Sequence, residues 1–543
     1  MLKESTIAGW PARIAPDRDT AVRALWRGVY EQPWGQVSPS IYETGRLVAL
    51  APWLRGHDER LRFLARTARP AGGWGRGNAY GLVPTLSAVD ATLAALRRGE
   101  AVPPGLTSAV DRGLATLIET LRGPLDLPDT PAIEVIVPAL VASVNAHLDG
   151  PSPDRAGGWF DRPGRPGPLP VPPDLPDVAG ALRYRTGLPA KALHALEVLD
   201  APAAVLRALS PIAPGCVGAS PAATAAWLAA HEPRRRGAEA VRYLEALADQ
   251  YGGPVPSVVP IATFEIAWVA AWLIEGGVAV PQYFRVLLDA ALGPSGASGG
   301  PGLPPDADTT SVVLAVLSRV GDEPDLDCLL AYDGGGHFRT WAGERTASVT
   351  TNAHVLDALG GRLARRPALA VRYGAARRRV AAWLCGQQRD DGSWTDKWHA
   401  SPFYATACCA LALSRFGGTA ARPAVARSVR WLLDAQAADG SWGCWRATAE
   451  ETAYALHVLA GRRHTVRDRS VAHAVARGRA WLLARPIGEE PALWHDKDLY
   501  RPDAVVRAAV LSALRATRRT EIRAGVPTAR RLSTLECTQG TAR

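Results

Sequence analysis

Lysine is scarce in this chain, since only four of its 62 basic residues are lysines and the rest are arginines. The net charge of +10 is spread along the sequence, and no compact basic stripe with interleaved aromatic residues stands out. This distribution argues against a nucleic-acid-binding surface. It also makes each lysine informative, because a chain so biased toward arginine has kept lysine at Lys3, Lys191, Lys397 and Lys497.

Cysteine pairs with metal-ligand spacing are also missing. The seven cysteines are scattered, none forms a Cys-x-x-Cys pair, and only Cys408 and Cys409 are adjacent. This pattern argues against a zinc framework and predicts reduced thiols in a cytoplasmic protein. The N-terminal stretch has no apolar core typical of a secretory signal, and we expect no stretch to reach the length of a membrane span.

What the chain has in abundance is apolar sequence at helical spacing. It has 543 residues, 47% of them hydrophobic, which is enough for two or three domains with real cores. Nearly every long segment has alanine and leucine in a helical pattern, and strict alternation is rare, so we predict an all-α fold. Two stretches rich in proline and glycine, residues 151–180 and 293–305, break this pattern. The second predicts a linker or crossover between domains.

The C-terminal half contains a repeat that begins with tryptophan. Its copies, WLCGQQRDDGSW, WLLDAQAADGSW and WLLARPIGEEPALW, start at Trp383, Trp431 and Trp481. Two helices per repeat of this length predict a solenoid or a closed α/α barrel. In the first copy we expect Gly392 to supply a turn conformation, Asp391 to cap the next helix and Gln388 to bond carbonyls at the end of the preceding helix. These roles are structural rather than catalytic.

Two carboxylates stand at the mouth of an apolar run in PPDADTTSVVLAVLSRV, residues 304–320. Asp306 and Asp308 lie where a helix is expected to begin, and capping is the simplest role for them. A capping aspartate is a poor acid, because the helix N-terminus stabilises its anion. Two close carboxyl groups cannot both ionise easily, so the pair can instead hold a proton. From these residues alone, both roles remain open.

The stretch Asp306-Ala307-Asp308-Thr309-Thr310 and the Gln–Trp repeats together resemble the class II diterpene cyclases of the copalyl diphosphate synthase type and, more distantly, squalene–hopene cyclase. The family motif is Asp-x-Asp-Asp, and many bacterial diterpene cyclases carry Asp-x-Asp-Thr-Thr. Residues 42–46, YETGR, depart from the family's YDTAW. Further family landmarks follow in order along the chain: VSPSIYETGRLVALAP from Val37, GLVPTLSA from Gly81, DKWHASPFYAT from Asp396 and LWHDKDLYRP from Leu493.

This resemblance implies two α/α-barrel domains, called β and γ, with the active site between them. The implied β domain comprises residues 1–39 and 293–515, and the inserted γ domain comprises residues 40–292. Residues 516–543 are predicted to be a disordered basic tail. A third, ionising α domain would carry Asp-Asp-x-x-Asp, a motif that this sequence lacks, so we do not expect that domain.

The resemblance also implies a catalytic acid. The family's proton donor is the middle aspartate, which corresponds to Asp308, with Asp306 as its partner. The helix SVTTNAHVLDAL is implied to face the donor, with His354 hydrogen-bonded to Asp308 and Thr350 on the same helix face. Asn352 is a further candidate that points elsewhere. A buried, satisfied core histidine is the alternative role for His354.

His194, in PAKALHALE, resembles the family histidine that helps bind the water or base ending the reaction. Carbocations need aromatic faces, and a diphosphate needs cations and usually Mg²⁺. For the diphosphate we propose Lys397 and Lys497, with surface solvation as their alternative role. The aromatic candidates in or near the landmarks are Trp341, Trp398, Phe403, Tyr404 and Tyr500, and the Mg²⁺ candidates, in a degenerate acidic motif, are Asp126, Asp129 and Glu134.

The sequence therefore predicts an enzyme that protonates the terminal alkene of geranylgeranyl diphosphate and forms a bicyclic, copalyl-type diphosphate. A downstream class I terpene synthase would use this product. Alternatives are a squalene-type triterpene cyclase, a protein prenyltransferase subunit, whose zinc ligands cannot be assembled here, and a non-catalytic helical scaffold.

Overall fold

The computed structural model of the protein describes residues 18–524, apart from residues 78, 126, 151–157, 165, 172–187, 200, 232–236, 345, 462–468 and 485–489. The helices are α1 (Arg18–Glu31), α2 (Ile41–Leu50), α3 (His57–Thr67), α4 (Leu82–Arg97), α5 (Leu106–Arg122), α6 (Ile133–Asp149), α7 (Ala203–Ala208), α8 (Pro221–Ala229), α9 (Ala238–Tyr251), α10 (Ala262–Glu275), α11 (Gln282–Ala290), α12 (Ala307–Val320), α13 (Asp327–Leu330), α14 (Val349–Arg365), α15 (Ala370–Gly386), α16 (Pro402–Phe416), α17 (Arg422–Asp434), α18 (Ala449–Leu459), α19 (Arg469–Ala484) and α20 (Asp503–Ala524). Short 3₁₀ turns occupy Ala79–Gly81, Trp159–Asp161, Ala190–Val198, Pro367–Leu369 and Thr419–Ala421. One hairpin pairs β1 (Trp494–His495) with β2 (Leu499–Tyr500) in antiparallel register.

Six helices form a closed ring. In ring order these are α10, α12, α14, α16, α18 and α20, and α20 packs back onto α10. Helices α1, α11, α15, α17 and α19 pack on the outside of this ring. The result is the α/α barrel predicted from the repeats. The all-α prediction is also confirmed, and the β1–β2 hairpin, with two residues in each strand, is a small addition.

A second helical unit precedes the barrel. Helix α4 is its centre and packs against α2, α5 and α6, with Trp74 and Leu86 fully buried in their shared core. Helices α8 and α9 share a neighbouring apolar core with α2. This unit lies against the barrel through the loop of the β1–β2 hairpin, whose side chains bond to α2 and to the turn at Ala190–Val198.

Helices α10 and α11 belong to the barrel core, although the sequence placed them in the inserted domain. Trp268 and Trp272 on α10, and Phe284 and Leu288 on α11, are buried in the same apolar cluster as the rest of the ring. Helix α1 also packs on α20. We therefore propose that the inserted domain ends near residue 261 rather than 292. Residues 516–524, placed in the tail, are part of α20, and the rest of the tail lies outside the described residues.

The segment 293–305 is packed against the start of α12 rather than acting as a free linker. The Ala297 N–H donates to Thr310 Oγ1 (2.8 Å), and the Asp306 N–H donates to the Ala297 carbonyl (3.1 Å). Gly300 lies so close to Pro260 that a Cβ atom would stand 2.1 Å from its carbonyl oxygen, which only glycine avoids. The glycines therefore let this segment fix the position of the two aspartates.

The repeat tryptophans are buried anchors. The indole N–H of Trp394 donates to the Leu384 carbonyl (2.8 Å), and that of Trp442 donates to the Leu432 carbonyl (2.7 Å). Trp74 makes the same bond to the Leu64 carbonyl (2.7 Å) in the first unit. This further anchor in the first unit was not predicted, because its surroundings, GGWGRG, contain neither the glutamine nor the aspartate of the repeat.

Two expectations about the repeat turn are wrong. Gly392 does adopt a left-handed conformation (φ +94°), but Asp391 accepts from the N–H and hydroxyl of Ser393 inside the turn. The next helix is capped instead by Ser401. Gln388 donates to the carbonyls of Gly392 and of Ala424 on α17, both at 2.8 Å. The turn therefore joins one repeat to the next instead of finishing its own helices.

Contrary to expectation, the described part of the chain contains one helical segment that is long and apolar enough to cross a membrane. This segment, residues 79–97, is 19 residues long. However, 83% of its most apolar window is buried inside the protein. This burial is what the central core helix of the first unit requires. The segment is therefore weak support for a membrane span.

Candidate active site

Asp306 is the N-cap of α12. Its side chain accepts from the Thr309 N–H (2.6 Å) and from the Thr309 hydroxyl (2.9 Å). Burial, followed by the negative charge of Asp308, raises the pKa of Asp306 to about 7, although the bonds from Thr309 oppose this shift. The two neighbouring carboxyl groups therefore hold a proton close to neutral pH.

Asp308, in the first turn of α12, has a different partner. Its Oδ1 lies 2.7 Å from Nδ1 of His354 on α14, and both side chains are 16% exposed. Burial lowers the pKa of His354, but the charge of Asp308 and the hydrogen bond outweigh it and hold that pKa well above its usual value. His354 is therefore an imidazolium that donates to Asp308, which fixes the orientation of the carboxyl group.

An aromatic cluster lies beside this pair. The Trp268 ring stands edge-on to His354 at 5.5 Å, and its indole N–H donates to the Tyr404 hydroxyl (2.8 Å). The Tyr404 ring lies 4.7 Å from Trp494 and 5.2 Å from Tyr454. We call Trp268, His399, Tyr404, Tyr454, Trp494 and Tyr500 the aromatic cluster.

Electrostatics indicate which aspartate faces the aromatic cluster. Burial and then nearby charges raise the pKa of Tyr404 and of Tyr500, and Asp308 is among those charges for both residues. The charge of Asp306 acts instead on Tyr332, whose pKa is raised to about 12 by burial and then by that charge. Asp308 is thus the member of the pair that is directed toward the rings.

A small cavity extends from His354 into the barrel. It has a volume of about 60 Å³ and is lined near His354 by Tyr404 and Cys408. At its other end, Glu275 and Asp357 form ion pairs with Arg319 and Arg415. A space of this size accommodates a few water molecules beside His354. It is too small for a C20 diphosphate.

The Squalene-hopene cyclase C-terminal domain family matches residues 344–497. An ent-copalyl diphosphate synthase of Streptomyces sp. (strain KO-3988) is 44% identical over 92% of this chain and 97% of its own length. A labda-7,13-dienyl diphosphate synthase of Streptomyces clavuligerus is 40% identical over 91% of this chain and 92% of its own. The solved structure of ent-copalyl diphosphate synthase from Streptomyces platensis has a TM-score of 0.85 and 43% identity, covering 93% of this chain and 100% of that one.

This chain belongs to the class II diterpene cyclases. Its relatives favour that activity over a triterpene cyclase and over a non-catalytic scaffold. The names of these relatives differ in the product that is formed.

Two sequence candidates hold the cyclase's loops in place instead of contacting Asp308. Thr350 directs its hydroxyl at Asp396 Oδ2 (2.8 Å) and its N–H at Asp396 Oδ1 (3.2 Å). Asn352 donates to the carbonyls of Phe338 (2.9 Å) and Ser348 (2.8 Å). These bonds use the polar groups of Thr350 and Asn352, so we assign both residues to holding loops rather than to catalysis.

His194 is engaged at both ring nitrogens. Its Nδ1 lies 2.6 Å from the Gly218 carbonyl, and its Nε2 lies 2.9 Å from Asp496 Oδ1. Burial lowers its pKa, but the charge of Asp496 outweighs that effect and raises the pKa above the usual value. A doubly protonated histidine that donates from both nitrogens cannot accept a proton from a substrate.

Lys497 is similarly occupied. Its side chain is completely buried, and its ammonium group contacts the carboxylates of Glu43 and Glu197 and the Ser220 hydroxyl. Three acceptors use the three donors of an ammonium group. This arrangement leaves no donor for a diphosphate, so we assign Lys497 to the junction between the hairpin and the first unit.

Lys397 and Lys191 approach the same tryptophan, although only Lys397 was predicted to bind the diphosphate. The ammonium of Lys397 is 5.6 Å from the Trp341 ring centre and 5.2 Å from that of Trp398, and it pairs with Glu344 (2.5 Å). Lys191, exposed on the turn Ala190–Val198, approaches the same Trp341 ring at 5.9 Å. Trp341 directly follows Thr340, whose carbonyl accepts from the Ala307 N–H between the two aspartates. The rarity of lysine was the available signal for Lys191.

The remaining candidates divide between core and site. Tyr404 and Tyr500 belong to the aromatic cluster, whereas Phe403 packs against Trp431 at 4.7 Å. Asp126 lies outside the described residues, and Asp129 accepts from the Thr346 hydroxyl. In the described part of the chain, no three potential ligands among His, Cys, Asp and Glu are grouped to hold a metal ion. The residues there do not fit the predicted Mg²⁺ site.

Proposed function

We propose that this cyclase uses Asp308 to protonate the terminal alkene of geranylgeranyl diphosphate and forms a bicyclic, copalyl-type diphosphate. The observation that carries this proposal is the Asp308–His354 bond at the edge of the aromatic cluster. The names of the relatives, which include copalyl diphosphate synthases, support the same substrate and product class.

The proton step follows from the groups around Asp308. The alkene's π electrons take the carboxyl proton, which leaves a tertiary cation on the substrate and a carboxylate on Asp308. The His354 imidazolium donates to that carboxylate, so the developing negative charge meets a hydrogen-bond donor already in place. Asp306, held by Thr309, shares one proton with Asp308 near neutral pH, because the charge of either carboxylate opposes ionisation of the other.

Ring closure moves the positive charge away from the protonated carbon. Two further double bonds attack in turn, and each closure transfers the cation along the folded chain. Each ring of the aromatic cluster that faces the buried cation stabilises it by about 0.5–2 kcal/mol. Because these rings are buried, water is kept from the cation until the bicycle has formed.

Lys191 and Lys397 are the proposed diphosphate contacts. They come from different units of the protein, converge on Trp341, and both carry ammonium groups that suit a phosphate oxygen. The diphosphate would serve as a handle and would remain attached to the product. That product could then be ionised by a class I terpene synthase in the cytoplasm, where the free thiols of the described cysteines would persist.

The deciding experiment is incubation with geranylgeranyl diphosphate in D₂O. After phosphatase treatment, mass spectrometry should find a bicyclic alcohol that carries one deuterium at the protonated carbon, and no inorganic diphosphate should be released during cyclisation. Asp308→Asn, with the same melting temperature, should give no bicycle. Diphosphate release in step with cyclisation, or full turnover by Asp308→Asn, would refute the proposal.

A further inference from the structure

Glu450, on the first turn of α18, is a completely buried carboxylate with one free oxygen. Its Oε1 accepts from the Trp494 indole N–H (2.7 Å) and the Tyr454 hydroxyl (2.9 Å), and His399 Nε2 lies 3.3 Å away. Within the described part of the chain, no hydrogen-bond donor reaches its Oε2. Three groups therefore hold one oxygen in place and leave the other available.

Among the described residues, no lysine or arginine forms an ion pair with Glu450, in contrast to two other buried acids near the site. Asp496 has His194, and Glu197 has Lys497. His399 Nδ1 accepts the Ser401 N–H (3.0 Å), so His399 is a neutral ring whose only proton is on Nε2. Arg501 acts on Glu450 from farther away, but its guanidinium bonds Asp503 and the Glu490 carbonyl.

A buried carboxyl oxygen without a hydrogen-bond partner is costly, and a native protein that keeps one needs a reason for it. In this enzyme the substrate itself becomes a cation during the reaction. A free carboxylate oxygen among aromatic rings can stabilise that cation and can remove a proton from a carbon next to it.

The position of Glu450 relative to the acid fits this role. Helices α12 and α18 stand three places apart in the ring of six, so Asp308 and Glu450 lie on opposite walls at the same end of the barrel. Tyr404 lies between them, because it accepts from Trp268 on the side of His354 and packs against Trp494 on the side of Glu450. A bicycle protonated at one end by Asp308 would present its final cation toward the opposite wall.

We propose that Glu450 is the base that ends the reaction. In this step a C–H bond next to the final tertiary cation breaks, its electron pair becomes the product's new double bond, and the proton goes to Oε2. The protein then carries one proton more at Glu450 and one fewer at Asp308, and exchange with solvent restores both. This inference rests on the proposed cyclase reaction, and it replaces His194 as the terminating group.

The test is the product distribution of Glu450→Gln with geranylgeranyl diphosphate. Glutamine retains the shape and the acceptor oxygen that Trp494 and Tyr454 need, but its amide group cannot take a proton. We expect the ratio of alkene to water-captured alcohol to fall at least about tenfold, while one deuterium from D₂O is still incorporated at the protonated carbon. A change that merely loosened the fold would lower the rate and leave this ratio unchanged.

Glu451→Gln is the matched control, because both oxygens of this neighbouring buried acid are already bonded, to Ser401 and to Thr448. Its alkene-to-alcohol ratio should equal that of the wild type. If Glu450→Gln does not fold, Glu450→Asp, which withdraws the carboxylate by one methylene, should lower the ratio instead. If the wild type is active and a folded Glu450 variant has an unchanged alkene-to-alcohol ratio, this inference is overturned. If the wild type forms no cyclised diphosphate, the proposed function is overturned instead.

Discussion

Lys497→Met should destabilise the protein without specifically weakening substrate binding. Methionine retains most of the volume but leaves the carboxylates of Glu43 and Glu197 buried without their cation. Removing one partner of such a group costs about 3–5 kcal/mol. We expect a cost near the lower end of this range. Burial and the charge of Glu197 raise the pKa of Glu43 to about 7, although Lys497 opposes this shift, so Glu43 can take up a proton when the lysine is removed.

The size of the thermal shift follows from the chain length. Unfolding 543 residues at about 2.1 cal/mol/K each gives an entropy near 1.1 kcal/mol/K, so a loss of 3–5 kcal/mol lowers a cooperative Tm by about 3–4 °C. Calorimetry of the wild type and variant would measure this shift, and steady-state kinetics below the transition would give KM.

Lys191→Met is the matched control, since Lys191 is exposed and is a proposed diphosphate contact. Its Tm should be unchanged while its KM rises severalfold. If Lys497→Met instead melted like the wild type and raised KM, the ammonium group would have to reach the substrate. The assignment of Lys497 to the junction would then be wrong.

The other predictions concern the acid and the repeats. Asp308→Asn should abolish bicycle formation at unchanged Tm, because the amide cannot donate the proton, and Asp306→Asn should lose less; product yield and melting curves check both. The plot of kcat/KM against pH should fall as pH rises through about 7, where the aspartate pair loses its proton. Since the folded pKa of Asp306 lies above its unfolded value of 3.8, its contribution to stability is present below pH 4 and is lost as pH rises through 7, so Asp306→Asn should reduce the fall in Tm between pH 5 and pH 8. Trp394→Ala and Trp442→Ala should each lower the free energy of unfolding by about 3–5 kcal/mol, as measured by denaturant titration, and a changed product at unchanged stability would contradict their anchoring role.

Local patterns predicted those parts of the site that depend on neighbours in sequence. The start of α12 at the two aspartates follows from a cap next to an apolar run, and the barrel follows from the spacing of the tryptophan repeats. His354 could be placed only by resemblance, because its bond to Asp308 joins two separate helices. The role of Glu450 could not be predicted for a different reason. Glu450 and Glu451 lie in the first turn of a helix, where the helix dipole favours acidic residues whatever their function.

The differences between the sequence-based predictions and the structure come from tertiary contacts that the sequence does not encode locally. Lys497 resembled a free cation in a polar loop, but its three partners come from α2, the turn at Ala190–Val198 and the N-cap of α8. Helix α10 was predicted to belong to the inserted domain, whereas we propose that it belongs to the barrel, because a glycine- and proline-rich stretch indicates a domain boundary only when it is not itself packed. Asp391 fitted a capping pattern, but the adjacent Ser393 offered it closer donors.

The closed ring also determines the order in which the protein can be completed on the ribosome. Its first member, α10, leaves the ribosome well before its neighbour α20, and between them come the other four ring helices, three of which carry the acid, its histidine and the proposed base. Until α20 emerges, α10 and α18 each expose an apolar side, and α1 lacks one of the helices on which it packs. The nascent cyclase therefore contains both proposed catalytic carboxylates before it has the closed barrel that could shield a carbocation from water.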